Sequence, residues 1–153
     1  MKVGIFVDVG NLYYCIGKAF PGRKLDYQKY LDTVTDRFGS DITATAYGTQ
    51  LEREASKFIT ALRHIGYTTK WKKEKPEGRR VSWNVGLTVD ALAHLFEVVI
   101  IGSSDSALLE LVDALIEREV KVIVYAARIG RELKETGAEI LEISEDILEV
   151  KCD

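Results

Sequence analysis

Two aspartates stand where an apolar run gives way to a turn: Asp8 after KVGIFV and Asp105 after EVVIIGSS. An acid directly after a buried strand stays charged only when it is solvated, hydrogen-bonded or beside a cation. Two such strand ends side by side would form an oxygen-rich site for one hard divalent ion, Mg2+ or Mn2+. Each acid equally suits the N-cap of the helical stretch that follows it, so the two roles stay open at this level. Asn11 lies three residues after Asp8, a spacing that lets its amide reach back to that carboxylate and hold its rotamer. Ser103 and Ser104 bring hydroxyls to a helix start, where free N–H groups favour a phosphate.

The segment KWKKEKPEGRR, residues 70–80, carries six Lys or Arg and one Trp in eleven positions. It follows an expected strand end, so it shares the rim with Asp8 and Asp105 if that strand runs parallel to theirs. Lys72, Lys73, Arg79 and Arg80 could then neutralise phosphates, with Trp71 or Trp83 stacking a base. The plainer reading is a solvated loop with Trp71 packed inward. Other chemistries have less support. There is no GxSxG, no GxGxxG, no phosphate-binding GxxxxGK[ST] and no CxxC pair. His64 and His94 are thirty residues apart among apolar neighbours, as structural or surface histidines would be. Asp8-Val9-Gly10 lacks the second Asp two residues on that phosphoaspartyl-transfer enzymes use.

Short β-branched runs alternate with helical periodicity. Strands are expected at 2–7, 41–47, 67–71, 97–101, 120–125 and 139–143. Helices are expected at about 9–19, 27–37 capped by Asp26, 50–65 closed by Gly66, 83–95 with Ser82 as N-cap, 106–117 and 130–136. A helical turn over 144–148 ends the pattern. This is the signature of a three-layer α/β/α fold around a mostly parallel sheet of five to six strands. In such sheets ligands bind beyond the carboxyl ends of the strands, at the point where strand order reverses. With no repeat or linker, residues 1–153 read as a single domain.

The 153 residues are 46% hydrophobic and 29% charged, a globular composition, with a net charge of 21 − 24 = −3. Residues 50–80 hold nine Lys/Arg against four Asp/Glu, and residues 104–153 hold six against thirteen. The middle is therefore basic and the C-terminal third acidic, which suits a phosphate backbone beside a cation site. No apolar run spans a membrane, and the opening stretch is too short for a secretory signal. Cys15 and Cys152 have no partner spacing, so a reducing, cytoplasmic setting is expected.

FVDVGNL at 6–12 resembles the FIDGxNL opening of NYN domains, the group of PIN-like nucleases that includes the LabA-like proteins. VSWNVGLTVDAL at 81–92 resembles that group's KGVDVxLxxDxL segment, and VVIIGSSDSALLELVDAL at 98–115 its strand running into SGDSDFxPLV. VIVYAARIGRELKETGAEILEI resembles the group's final segment, so four blocks match in order. The resemblance implies a PIN-like fold and a ribonuclease that uses Mg2+ or Mn2+ and a carboxylate cluster to activate water against RNA. It carries over Asp8 and Asp105 as metal ligands, Asn11 as the orienting partner of Asp8, and Asp90 as an additional acid. The chain departs from the pattern at two acids, replaced by Asn84 and Ala107, which weakens the expected metal site. Asn84 remains an orienting or ligating amide. The alternatives are a catalytically inactive RNA-binding or protein-interaction module and a small-molecule phosphate or nucleotide binder. A homodimer through the strands at 120–125 and 139–143, or a protein partner on the acidic C-terminal third, is compatible with the pattern.

Overall fold

The computed structural model describes residues 1–50, 55–73 and 81–150. Strand β1 (Val3–Asp8) has five consecutive buried residues, and so does β4 (Val98–Gly102). Side chains alternate across a strand, so unbroken burial requires cover on both faces of the sheet. The remaining strands are β2 (Ile42–Gln50), β3 (Tyr67–Lys73), β5 (Lys121–Ala126) and β6 (Glu139–Glu142). The six form one sheet in the order β3-β2-β1-β4-β5-β6, and every neighbouring pair is parallel. The chain moves outward from β1 to β3, then crosses back to β4, so strand order reverses between β1 and β4. Those are the two strands that end towards Asp8 and Asp105.

The helices are α1 (Val9–Ala19), α2 (Tyr27–Phe38), α3 (Ala55–Ile65), α4 (Asn84–Ala93), α5 (Leu109–Glu117) and the short α6 (Arg131–Lys134). Register assigns them to faces. Lys70, Tyr47 and Asp8 are lateral partners on β3, β2 and β1, and both Lys70 and Tyr47 reach Asp90 of α4. In the next row, Trp71 pairs with Gly48 and meets Phe58 of α3, which in turn meets Tyr27 of α2. Asp8 therefore belongs to the α4 face, and α2 and α3 cover the opposite one. No helix among the described residues is long and apolar enough to cross a membrane.

The expected elements all occur, with shifted ends. β2 runs on to Gln50 and β3 to Lys73, because Gly48 lets the Trp71 ring lie against its backbone. Lys72 thus sits in the strand, not in a loop. α4 ends at Ala93, and of the helix expected over 50–65 the structure shows α3, residues 51–54 lying outside the described residues. Residues 106–108 form a tight 3-10 turn before α5, since the Asp105 side chain accepts from the Ala107 N–H. Ser82 is one residue short of the cap, yet its hydroxyl still accepts from the Asn84 N–H at 3.2 Å.

The core closes tightly beneath the switch point. Tyr30 stacks on Tyr125 with ring centres 4.3 Å apart, and its hydroxyl donates to the Tyr125 carbonyl. A Cβ on Gly102 would lie 2.5 Å from Val7 Cγ1 and 2.9 Å from the Tyr30 oxygen. Gly102→Ala is accordingly expected to destabilise the fold by about 1–3 kcal/mol, read by urea unfolding. A wild-type midpoint would contradict that packing.

Candidate active site at the strand-order switch

Asp8 ends β1 and caps α1: its Oδ1 accepts from the Asn11 N–H at 3.1 Å. Asp105 caps the turn after β4, with Oδ1 accepting from the Ala107 N–H at 2.9 Å. Each acid is thus a cap through one oxygen, Oδ1. Asp105 Oδ2 accepts from Asn84 Nδ2 at 2.9 Å, and this ties the start of α4 to the β4 turn. Burial pushes the Asp8 carboxyl above its usual range. Main-chain N–H groups at Asn11 and Gly10 pull it back, and the nearby Asp105 charge pushes it up again. A cation between the two acids would relieve that strain on ionised Asp8.

Asn11 departs from the role its spacing suggests. Its main-chain N–H, not its amide, contacts Asp8, because the third residue of a helix offers the orphan donor that an N-cap accepts from. The amide points across the switch instead: Oδ1 accepts from the Ser104 N–H at 3.0 Å and from its hydroxyl at 3.3 Å. Ser104 also meets the buried Cys15 thiol at 3.3 Å. Asn11 therefore locks α1 to the β4 turn, holding the two acids in register.

The serines divide. Ser103 is wholly buried, and its hydroxyl accepts from the Asp105 N–H, so it shapes the turn and faces no ligand. Ser104 lies on the rim. With Ser106, Arg128 and Arg131 it lines a hollow of about 290 Å³ beyond Asp105. Arg128 adopts a left-handed backbone (φ 58°) there. No sequence pattern pointed to Arg128, because a lone arginine in a strand-to-helix turn carries no signature.

Asp90 is engaged apart from the two acids. It accepts from the Tyr47 hydroxyl at 2.7 Å and from Lys70 Nζ at 2.6 Å. Burial alone would raise its carboxyl, but these two bonds outweigh it and hold it below the usual range. Among the described residues no group of three or more His, Cys, Asp or Glu is placed to share a metal ion. Asp90→Ala should cost about 1–2 kcal/mol, since the buried Tyr47 hydroxyl loses its acceptor. The same variant should leave manganese affinity unchanged by calorimetry; a large loss of affinity would make Asp90 a ligand.

Of the expected nucleic-acid contacts, Lys72 holds its Nζ 4.0 Å from the centre of the Trp83 ring, beside Asn84. The Trp83 indole donates to the Gly48 carbonyl, so Trp83 is a fixed wall and its face is taken by Lys72. Trp71 is half-buried between Gly48 and Phe58. Arg79, Arg80 and the Lys73 side chain lie outside the described residues. His64 and His94 are both exposed and stand on α3 and just after α4.

The model of the NYN domain matches residues 2–144. The chain belongs to the NYN family. A protein of unknown function from Vibrio parahaemolyticus, solved by crystallography, is similar to this NYN chain with a TM-score of 0.85 at 27% identity. The match covers 96% of this chain and 95% of that one. No curated protein gives a significant match. The PIN-like fold expected from the four sequence blocks is therefore the fold observed, and the family is one of PIN-like nucleases. The two acids of this NYN chain that stand at the switch point, Asp8 and Asp105, both lie within the matched residues.

Proposed function

We propose that this NYN chain is a metal-assisted ribonuclease acting in the cytoplasm, with one Mg2+ or Mn2+ ion held by Asp8 and Asp105. The observation that carries the reading is the meeting of two strand-end carboxylates, one of them raised by burial and by the other's charge, at the switch point of a parallel sheet. The donor set is hard oxygen throughout, with the Asn84 amide oxygen as a neutral addition, and it suits such an ion. A bound divalent ion supplies Lewis acidity, screening the scissile phosphate and making a water a better nucleophile at neutral pH.

The protein's own groups do the remaining work. Asp8 and Asp105 provide negative charge where the cation must sit. Asn84 orients Asp105 through its Nδ2 donor, and Asn11 keeps the two strand ends at a fixed separation through Ser104. Arg128 and Arg131, lining the hollow beside Ser104, offer donors to a phosphate beyond the acids, and Lys72 adds positive charge beside Asn84.

The shortage of acids favours a second reading, a non-catalytic RNA-binding module, because Asn84 and Ala107 contribute no charge. Cleavage of a short fluorescent RNA decides between them. Turnover with Mn2+ that stops with EDTA and in Asp105→Ala supports the nuclease, and RNA binding without any turnover supports the module.

A further inference from the structure

A cavity of about 500 Å³ opens beside the acid site on the α2–α3 side of the sheet. Val9 and Gly10, directly after Asp8, form one wall, and Tyr27, Phe58 and Trp71 form the others. These rings meet edge to face, at 5.6 Å for Tyr27–Phe58 and 6.1 Å for Phe58–Trp71. The Trp71 Nε1 is buried and has no hydrogen-bond partner among the described residues.

The mouth of the cavity is held by Tyr13, 69% exposed, and Lys24. Both residues also border a second hollow of about 320 Å³, shared with Tyr14, Lys18 and Arg23. The Lys18 Nζ lies 5.6 Å from the centre of the exposed Tyr14 ring. Arg23 is fixed on this rim by donating to the Glu149 carbonyl at 3.1 Å. Among the described residues, three cations thus outnumber the single carboxylate, Glu149, that lines either hollow. Exposed rings interleaved with lysines and an arginine are what a single strand uses: bases stack and phosphates pair. A cavity of this size suits one small planar ligand, not a folded partner.

We propose that this surface is a track for single-stranded RNA. One unpaired nucleobase enters the aromatic cavity next to the acid site, and Tyr13, Tyr14, Lys18, Arg23 and Lys24 hold the nucleotides leading to it. The proposal rests on the ribonuclease reading for its substrate class, but uses none of that reading's residues.

The test is fluorescence anisotropy with a labelled RNA octamer in EDTA, which prevents cleavage. The comparisons are a duplex of the same sequence, an octamer with one abasic position, and free AMP. Wild type should bind the single strand at least about tenfold more tightly than the duplex or AMP, and one abasic position should cost about tenfold. Tyr13→Ala with Lys24→Ala, both at the cavity mouth, should weaken octamer binding roughly tenfold, while Lys134→Ala on α6 should not. Wild-type affinity in the double variant, or equal affinity for duplex, overturns the track. If that occurs while Asp105→Ala still abolishes cleavage, only the track fails. If wild type binds no RNA, track and ribonuclease fall together.

Discussion

Asn84→Asp combined with Ala107→Asp is expected to tighten manganese binding by at least about tenfold and to raise the rate of RNA cleavage. Asn84 lies within hydrogen-bond distance of Asp105, so a carboxylate at that position would add its charge directly to the site. Ala107 is exposed on the turn capped by Asp105, so an acid there would stay solvated two residues from Asp105. The gain has a cost without metal. The Nδ2 donor to Asp105 disappears and like charges face each other, so the metal-free variant should lose about 1–2 kcal/mol of stability. Added Mn2+ should restore that loss, because a ligand that binds only the folded state stabilises it by mass action. Calorimetric titration and thermal unfolding with and without metal measure both halves. Unchanged affinity would mean that the two replaced acids are not what limits this site.

Asp8→Asn should abolish metal-dependent cleavage and yet stabilise the metal-free protein. The sign follows from the raised carboxyl. Its folded value lies above the ordinary 3.8, because burial disfavours the charged form and Asp105 adds to that push. The fold therefore prefers the protonated acid, and ionised Asp8 is a cost that grows as pH rises from 3.8 through the folded value. Below 3.8 the cost is absent. Asparagine keeps an oxygen to accept from the Asn11 N–H but carries no charge. The variant should melt a few degrees higher than wild type at about pH 7, with the difference vanishing near about pH 3–4. Manganese should raise the wild-type midpoint and not the variant's, and cleavage should fall more than about a hundredfold. A variant less stable than wild type at neutral pH would contradict burial and charge repulsion as the source of the effect.

Much of this arrangement was legible in the sequence. β-branched runs ending in acids marked β1 and β4, and Asp26 and Gly66 marked helix ends because their chemistry is local. Parallel strands put Asp8, Asp105 and Lys72 on one rim, as alternation of strand and helix implied. What was not legible depends on contacts made across the chain. The Asn11 side chain turned to Ser104, 93 residues away, and spacing to Asp8 could not reveal that. Asp90 found Lys70 and Tyr47 because register puts those two in the same row as Asp8, a fact of pairing and not of pattern. Ser103 looked like a phosphate donor until the turn buried it. The Tyr13–Lys24 surface escaped notice because its charges are too few to shift a local count, and only folding gathers them beside the aromatic cavity.

The most direct measurement is calorimetric titration of Mn2+ into wild type and Asp8→Ala, each with and without a short RNA that cannot be cleaved. Wild type is expected to bind one ion, more tightly when RNA supplies phosphate oxygens, and Asp8→Ala is expected to bind none. RNA binding that is equal in both proteins and indifferent to Mn2+ would contradict a metal site at Asp8 and Asp105.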